Sequence, residues 1–142
     1  MTRTLPMLLV TVLLVSNQVA AARPAHDNAP TAAECVAPTT QKRMNDCAYG
    51  DFLTANSGYA DSNKAYSSKL APTQRDLFRR SQTAWLAYRT ATCAFESGAV
   101  RGGSAQAMVR WQCAARMTRA RAAEVTKMGS CTEGDLACVR VG

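Results

Sequence analysis

The run Leu77-Phe-Arg-Arg-Ser-Gln-Thr-Ala-Trp-Leu-Ala-Tyr-Arg-Thr-Ala-Thr-Cys-Ala-Phe95 decides the fold. Leu77, Phe78, Ser81, Ala84, Trp85 and Tyr88 recur at i, i+1, i+4, i+7, i+8 and i+11, the period of a helix with one inward stripe. On that phase Trp85 and Tyr88 read as core. Arg89 reads as a structural cation pairing with Asp46 or another acid. Pro72 closes whatever precedes this helix, and Thr73 is placed to cap it. Gly98, Gly102 and Gly103 make the turn that follows.

Working outward, Ser104 reads as the cap of a last helix reaching about Met128, and Gly129 as its stop. Met108, Val109, Cys113, Met117 and Ala120 form its expected inward stripe. On the other side, Met44, Cys47, Ala48 and Phe52 sit near helical spacing, with Thr39 or Thr40 as cap. Gly50 and Gly58 predict a break between them, then a second helical piece from about Tyr59 to Leu70. No β-rich run, repeat or low-complexity tract interrupts this order. The expected fold is all-α, a small antiparallel bundle of three to four helices braced by disulfides.

The N-terminus has the layout of an export signal: Arg3, an apolar run from Met7 to Val15, then Ala20, Ala21 and Ala22. The run is too short to cross a bilayer. The expected organisation is a signal peptide at 1–22, a flexible leader at 23–38, the helical domain at 39–130 and a short tail at 131–142. The place is the periplasm or the medium. The formal charge of +7 falls by one unit when a signal containing Arg3 and no acid is removed.

Six cysteines in an exported chain imply three disulfides. Spacing favours Cys35 with Cys47, Cys93 with Cys113, and Cys131 with Cys138, among the 15 pairings that six cysteines permit. No C-x-x-C occurs and the only histidine, His26, lies in the leader, so neither a zinc site nor a redox motif is indicated. A Ser/His/Asp or Cys/His site lacks a placed base for the same reason. Asp46, Asp51, Asp61, Asp76 and Glu96 are scattered, and nothing marks a glycosidase-type pair. Gly102-Gly-Ser104 reads as a turn, not a phosphate cradle. No enzyme activity, cofactor or metal is expected.

Several segments resemble a known family. Gln41-Lys-Arg-Met-Asn-Asp-Cys-Ala48, Asn63-x-x-Tyr66, Gln82 to Phe95 with its Trp-Leu-x-Tyr-Arg-x-Ala-x-Cys core, Gly102-Gly-Ser104, Cys113 and Thr118-x-x-Arg121 together resemble the N-terminal domain of the lysozyme inhibitor LprI-like family. They cover about Cys35 to Met128. The chain departs from the family pattern in two places. Asn63 follows Ala60-Asp61 too closely, and Thr90 stands where an Asp commonly follows Tyr-Arg. The resemblance implies a binding protein that inhibits lysozyme by occluding its cleft.

Residues open to such a partner are Trp111, which falls off the main apolar stripe, and the basic set Arg110, Arg116, Arg119 and Arg121. From Arg75 to Arg121 nine arginines face only Asp76 and Glu96, so a solvated basic face stands beside an anion-binding one. The alternative function is therefore an envelope-associated structural or anion-binding domain that takes an anionic envelope polymer. Nucleic acid is disfavoured by export and by the absence of a recognised module. Common lysozymes are basic, so an acidic patch at Asp46, Asp51 and Asp61 is the expected route around charge repulsion.

Overall fold

A computed structural model describes residues 30–130, 132, 134–136 and 138–139. The expected signal peptide and the first seven residues of the expected leader, 23–29, lie outside these residues, as does Cys131 of the expected third disulfide. The described chain is helical: α1 (Ala32–Val36), α2 (Gln41–Ser67), α3 (Pro72–Glu96), a 3-10 turn (Ser97–Val100) and α4 (Gln106–Met128), with no strand among the described residues.

The short α1, inside the span read as leader, is held twice. Thr31 and Glu34 form a reciprocal capping box, and Cys35 is bonded to Cys47 of α2. Thr40 caps α2 by accepting from the Arg43 N–H at 3.2 Å. The expected break in α2 does not occur: the helix runs unbroken through Gly50 and Gly58. Its buried face explains why. Ala48, Ala55, Tyr59 and Tyr66 recur at helical phase and bury against the bundle, which outweighs a cost of about 1 kcal/mol per glycine.

Two other caps differ from expectation. Ala71 precedes α3 with Pro72 at its first turn, where a missing N–H costs nothing, so Thr73 is inside the helix. Ala105, not Ser104, precedes α4. Ser104 instead offers its carbonyl to Asn45 Nδ2 at 3.0 Å, tying the start of α2 to the start of α4. Gly102 sits at φ 75°, which favours glycine, and donates its N–H to Gln106 Oε1 at 2.9 Å.

These ties fix the topology. Asn45 meets Ser104 at one end, and Tyr66 lies against the backbone beyond α4 at Gly129 at the other, so α2 and α4 run parallel. They make the most extensive packing in the molecule, through small residues (Ala48 and Ala55 on α2, Ala114, Ala115 and Thr118 on α4) that let the helices approach closely. α3 returns antiparallel to both, since Phe78 meets Tyr66 and Cys93 is bonded to Cys113. The buried line of α4 is thus Cys113, Ala114, Ala115, Thr118 and Val125, while Ala120 of the expected stripe is exposed.

The core is layered along the bundle axis. One end holds Tyr66, Leu70, Val125 and Phe78. The other holds the Cys93–Cys113 disulfide with Ala114, Phe52, Trp111 and Met117. Between them lies a polar layer. Arg89 lies over the rings of Phe52 and Trp85, 5.2 and 5.3 Å from their centroids, and donates to Thr118 Oγ1 at 2.9 Å. Its partner is a hydroxyl rather than the expected acid. Beside it, Gln82 Oε1 accepts from Tyr59 Oη at 3.2 Å and from Arg121 Nε at 3.1 Å. Burial lowers the Arg89 guanidinium from its ordinary value, with Tyr59 opposing.

Candidate functional site

The inward residues of α3 are Phe78, Gln82, Trp85, Arg89 and Cys93, spaced 4, 3, 4 and 4 apart. At about 100° per residue this line is rotated roughly a quarter to a third of a turn from the stripe that apolar content selects. The correction has a physical cause. Gln82 Oε1 and Arg89 Nη1 find hydrogen-bond partners inside the bundle, so the interior accepts them, and apolar neighbours on the flank are displaced to the surface.

What is displaced forms the site. Leu77, Ser81, Ala84, Tyr88, Ala91 and Phe95 fall within an arc of about 80°. All are exposed, the large ones strongly: Leu77 49%, Tyr88 61% and Phe95 84%. Tyr88 was expected in the core; its ring is on the outside. The stripe is about 27 Å long at the helical rise and carries no charged residue. It is also rigidly mounted. Phe78 anchors one end in a core cluster, and the Cys93–Cys113 disulfide clamps the other two residues before Phe95. An exposed, uncharged, aromatic-bearing helix face of this kind is what a protein-binding surface needs.

The residues singled out from sequence are distributed differently from that expectation. Trp111 is half-buried, its ring 4.9 Å from Tyr49 and 5.1 Å from Phe52. It is a packing residue rather than an exposed anchor. Three of the four last-helix arginines are engaged within the chain: Arg116 with Glu96 at 2.9 Å, Arg119 with Asp51 at 2.7 Å, and Arg121 with Glu124 at 2.8 Å. Arg121, expected in solvent, has a side chain only 13% exposed and bonds to buried Gln82. Arg110 stands exposed. The expected acidic patch is neutralised in two of its three members, Asp46 by Lys42 at 2.7 Å and Asp51 by Arg119, leaving Asp61 exposed about 15 Å further along α2.

No group of three His, Cys, Asp or Glu side chains among the described residues could hold a metal ion. Among the described residues, the Glu34 carboxyl lies below its ordinary range. The Thr31 backbone and side-chain hydrogen bonds lower it, with Arg43 adding to the same effect, which is cap chemistry. No helix of the described residues is long and apolar enough to cross a membrane.

The family model of lysozyme inhibitor LprI matches residues 32–125, about two thirds of the chain. The chain belongs to the LprI family. Among curated proteins it is similar to an uncharacterized protein of Rhizobium meliloti (strain 1021), 28% identical over 111 residues, covering 67% of this chain and 78% of the relative. No solved structure matches it significantly. Set against the fold, the LprI segments fall on structural positions. Asn45 and Cys47 tie down the start of α2, Gln82, Trp85, Arg89 and Cys93 build the inward line of α3, and Thr118 and Arg121 complete the polar layer. Two disulfides, Cys35–Cys47 and Cys93–Cys113, pair as their spacing suggested and belong with an extracytoplasmic protein.

Proposed function

We propose that this protein is a lysozyme inhibitor that acts by occlusion, laying the charge-free α3 stripe across the enzyme's cleft without chemistry of its own. The observation that carries this reading is the stripe itself, with Tyr88 and Phe95 exposed on a helix that is clamped at both ends. A rigid aromatic anchor contributes affinity because little side-chain entropy is lost on docking. Export to the periplasm or medium places the protein where such an enzyme works.

The stripe also answers the charge problem. A mature protein that keeps all but one unit of the formal +7 meets a basic enzyme against long-range repulsion. A contact surface free of charge brings no like charges face to face at short range, and its affinity comes from apolar burial. Added salt therefore speeds association with a basic lysozyme, by screening beyond about 10 Å at 0.1 M.

Titration of lysozyme turnover with the oxidised protein tests the reading. Tyr88→Ala with Phe95→Ala is expected to weaken inhibition by about 30-fold or more, the effect of losing central aromatic anchors. Asp46→Asn, Asp51→Asn and Asp61→Asn together, or Arg116→Gln with Arg119→Gln, are expected to change it little. Absence of inhibition by wild type at large molar excess, or full inhibition by the Tyr88/Phe95 variant, refutes the stripe as the inhibitory surface.

A further inference from the structure

On the side of α3 away from the stripe lies a second feature with different chemistry. Leu86 is nine residues from Leu77, about two and a half turns, and so faces the opposite flank. There α2 and α3 part to leave an open groove of about 530 Å³, within the size range of small-molecule sites. Its apolar wall is made by Tyr59, Phe78 and Leu86. Its rim carries Lys64, Arg75 and Arg79, and no acid lines it.

The three cations are not equivalent. Arg75 is committed to structure, donating to the carbonyls of Ser67 at 3.0 Å and Leu70 at 2.8 Å. Lys64 takes part in no salt bridge among the described residues, and Arg79 makes only a loose exposed pair with Asp76 at 3.4 Å. Both heads are therefore available to an anion. Asn63, which also lines the groove, carries a polar mismatch. It donates its Nδ2 to Tyr59 O at 2.8 Å, while its Oδ1 is buried with no hydrogen-bond partner. A ligand N–H that shifts the Asn63 side chain far enough to reach Oδ1 removes that cost.

We infer that the α2–α3 groove is a binding site for a small amphipathic anion of the N-acyl amino acid type. The acyl chain lies along Phe78 and Leu86, the carboxylate meets Lys64 and Arg79, and the amide N–H serves Asn63. The site is independent of the α3 stripe and of any action on lysozyme.

N-octanoylglycine is the probe. Titrated into the oxidised protein and followed by amide chemical shifts, it is expected to bind saturably at one site, with shifts concentrated at 56–67 and 75–86. Lys64→Gln with Arg79→Gln is expected to weaken binding about tenfold while circular dichroism stays unchanged, since both side chains are exposed. Leu86→Asn is expected to weaken it too. The methyl ester of the probe and octylamine are expected not to bind, and decanoate, which lacks the amide, to bind more weakly. Ester binding equal to the acid, an unchanged affinity in the Lys64/Arg79 variant, or shifts centred elsewhere overturns the inference. Equal affinity for decanoate overturns the role given to Asn63.

Discussion

Replacing Arg89 by Met tests whether the polar layer holds the bundle. The substitution keeps an unbranched stem and removes a guanidinium stacked on Phe52 and Trp85 and bonded to Thr118 Oγ1. A hydrogen bond from a charged donor contributes about 1.5–3 kcal/mol, and each cation–π contact at a partly exposed site about 0.5–1 kcal/mol. Met recovers part of this through its own apolar burial, so the expected net loss is about 2 kcal/mol. For a domain of this size that lowers Tm by roughly 8–16 °C. Arg89→Lys, which keeps charge but not the planar stack, is expected to lose about 1 kcal/mol. Thermal and urea unfolding with disulfides intact measures both. A double-mutant cycle with Thr118→Val is expected to give a coupling of about 1 kcal/mol. Wild-type stability in Arg89→Met, with zero coupling to Thr118, refutes the reasoning. It would put Arg89 among buried charges that a hydrophobic residue replaces without loss. Inhibition per folded molecule is expected to be unchanged, because Arg89 faces inward.

Three further outcomes follow from the same geometry. Gly58→Ala and Gly50→Ala are each expected to stabilise the fold by about 0.5–1 kcal/mol in urea denaturation, because an added Cβ meets nothing within 4 Å at either site. Cys93→Ala with Cys113→Ala is expected to cost about 3 kcal/mol, the loop-closure effect of a 20-residue separation, measured by chemical denaturation. Glu34 is expected to titrate below the ordinary carboxylate range, since the Thr31 N–H and hydroxyl both bond its ionised form. A folded-state value lowered in this way gives the α1 cap its full strength above the ordinary range and removes it as pH falls through the lowered value. A carboxyl-carbon NMR titration with a midpoint at or above the ordinary glutamate value contradicts this.

The α3 phase shows where sequence reasoning stopped. The helix itself was legible from periodicity, and so was the uncharged line from Leu77 to Phe95. Its assignment to the inside failed because apolar content scores Gln82 and Arg89 as surface residues. The signal that could have corrected it was present: Gln82, Trp85, Arg89 and Cys93 share a helical phase and belong to the signature segment. Reading the phase of the signature rather than its hydrophobicity turns the helix the right way. Trp111 failed similarly, since its partners Tyr49 and Phe52 lie about sixty residues away in the chain.

Sequence alone supplied the all-α class, the turn at Gly102, the C-terminal ends of α3 and α4, the preferred pairing of the two disulfides within the described residues and the resemblance to the LprI family. Each of these depends on residues close together in the chain, or on covalent chemistry that spacing constrains. Tertiary structure decided the rest. It kept α2 unbroken, because burial along α4 outweighs the propensity of two glycines. It engaged Arg116, Arg119 and Arg121 with acids and turned Tyr88 outward. It also opened the α2–α3 groove. These depend on which helix faces meet, and that is settled by satisfying polar groups across helices distant in sequence, a constraint that no local pattern records.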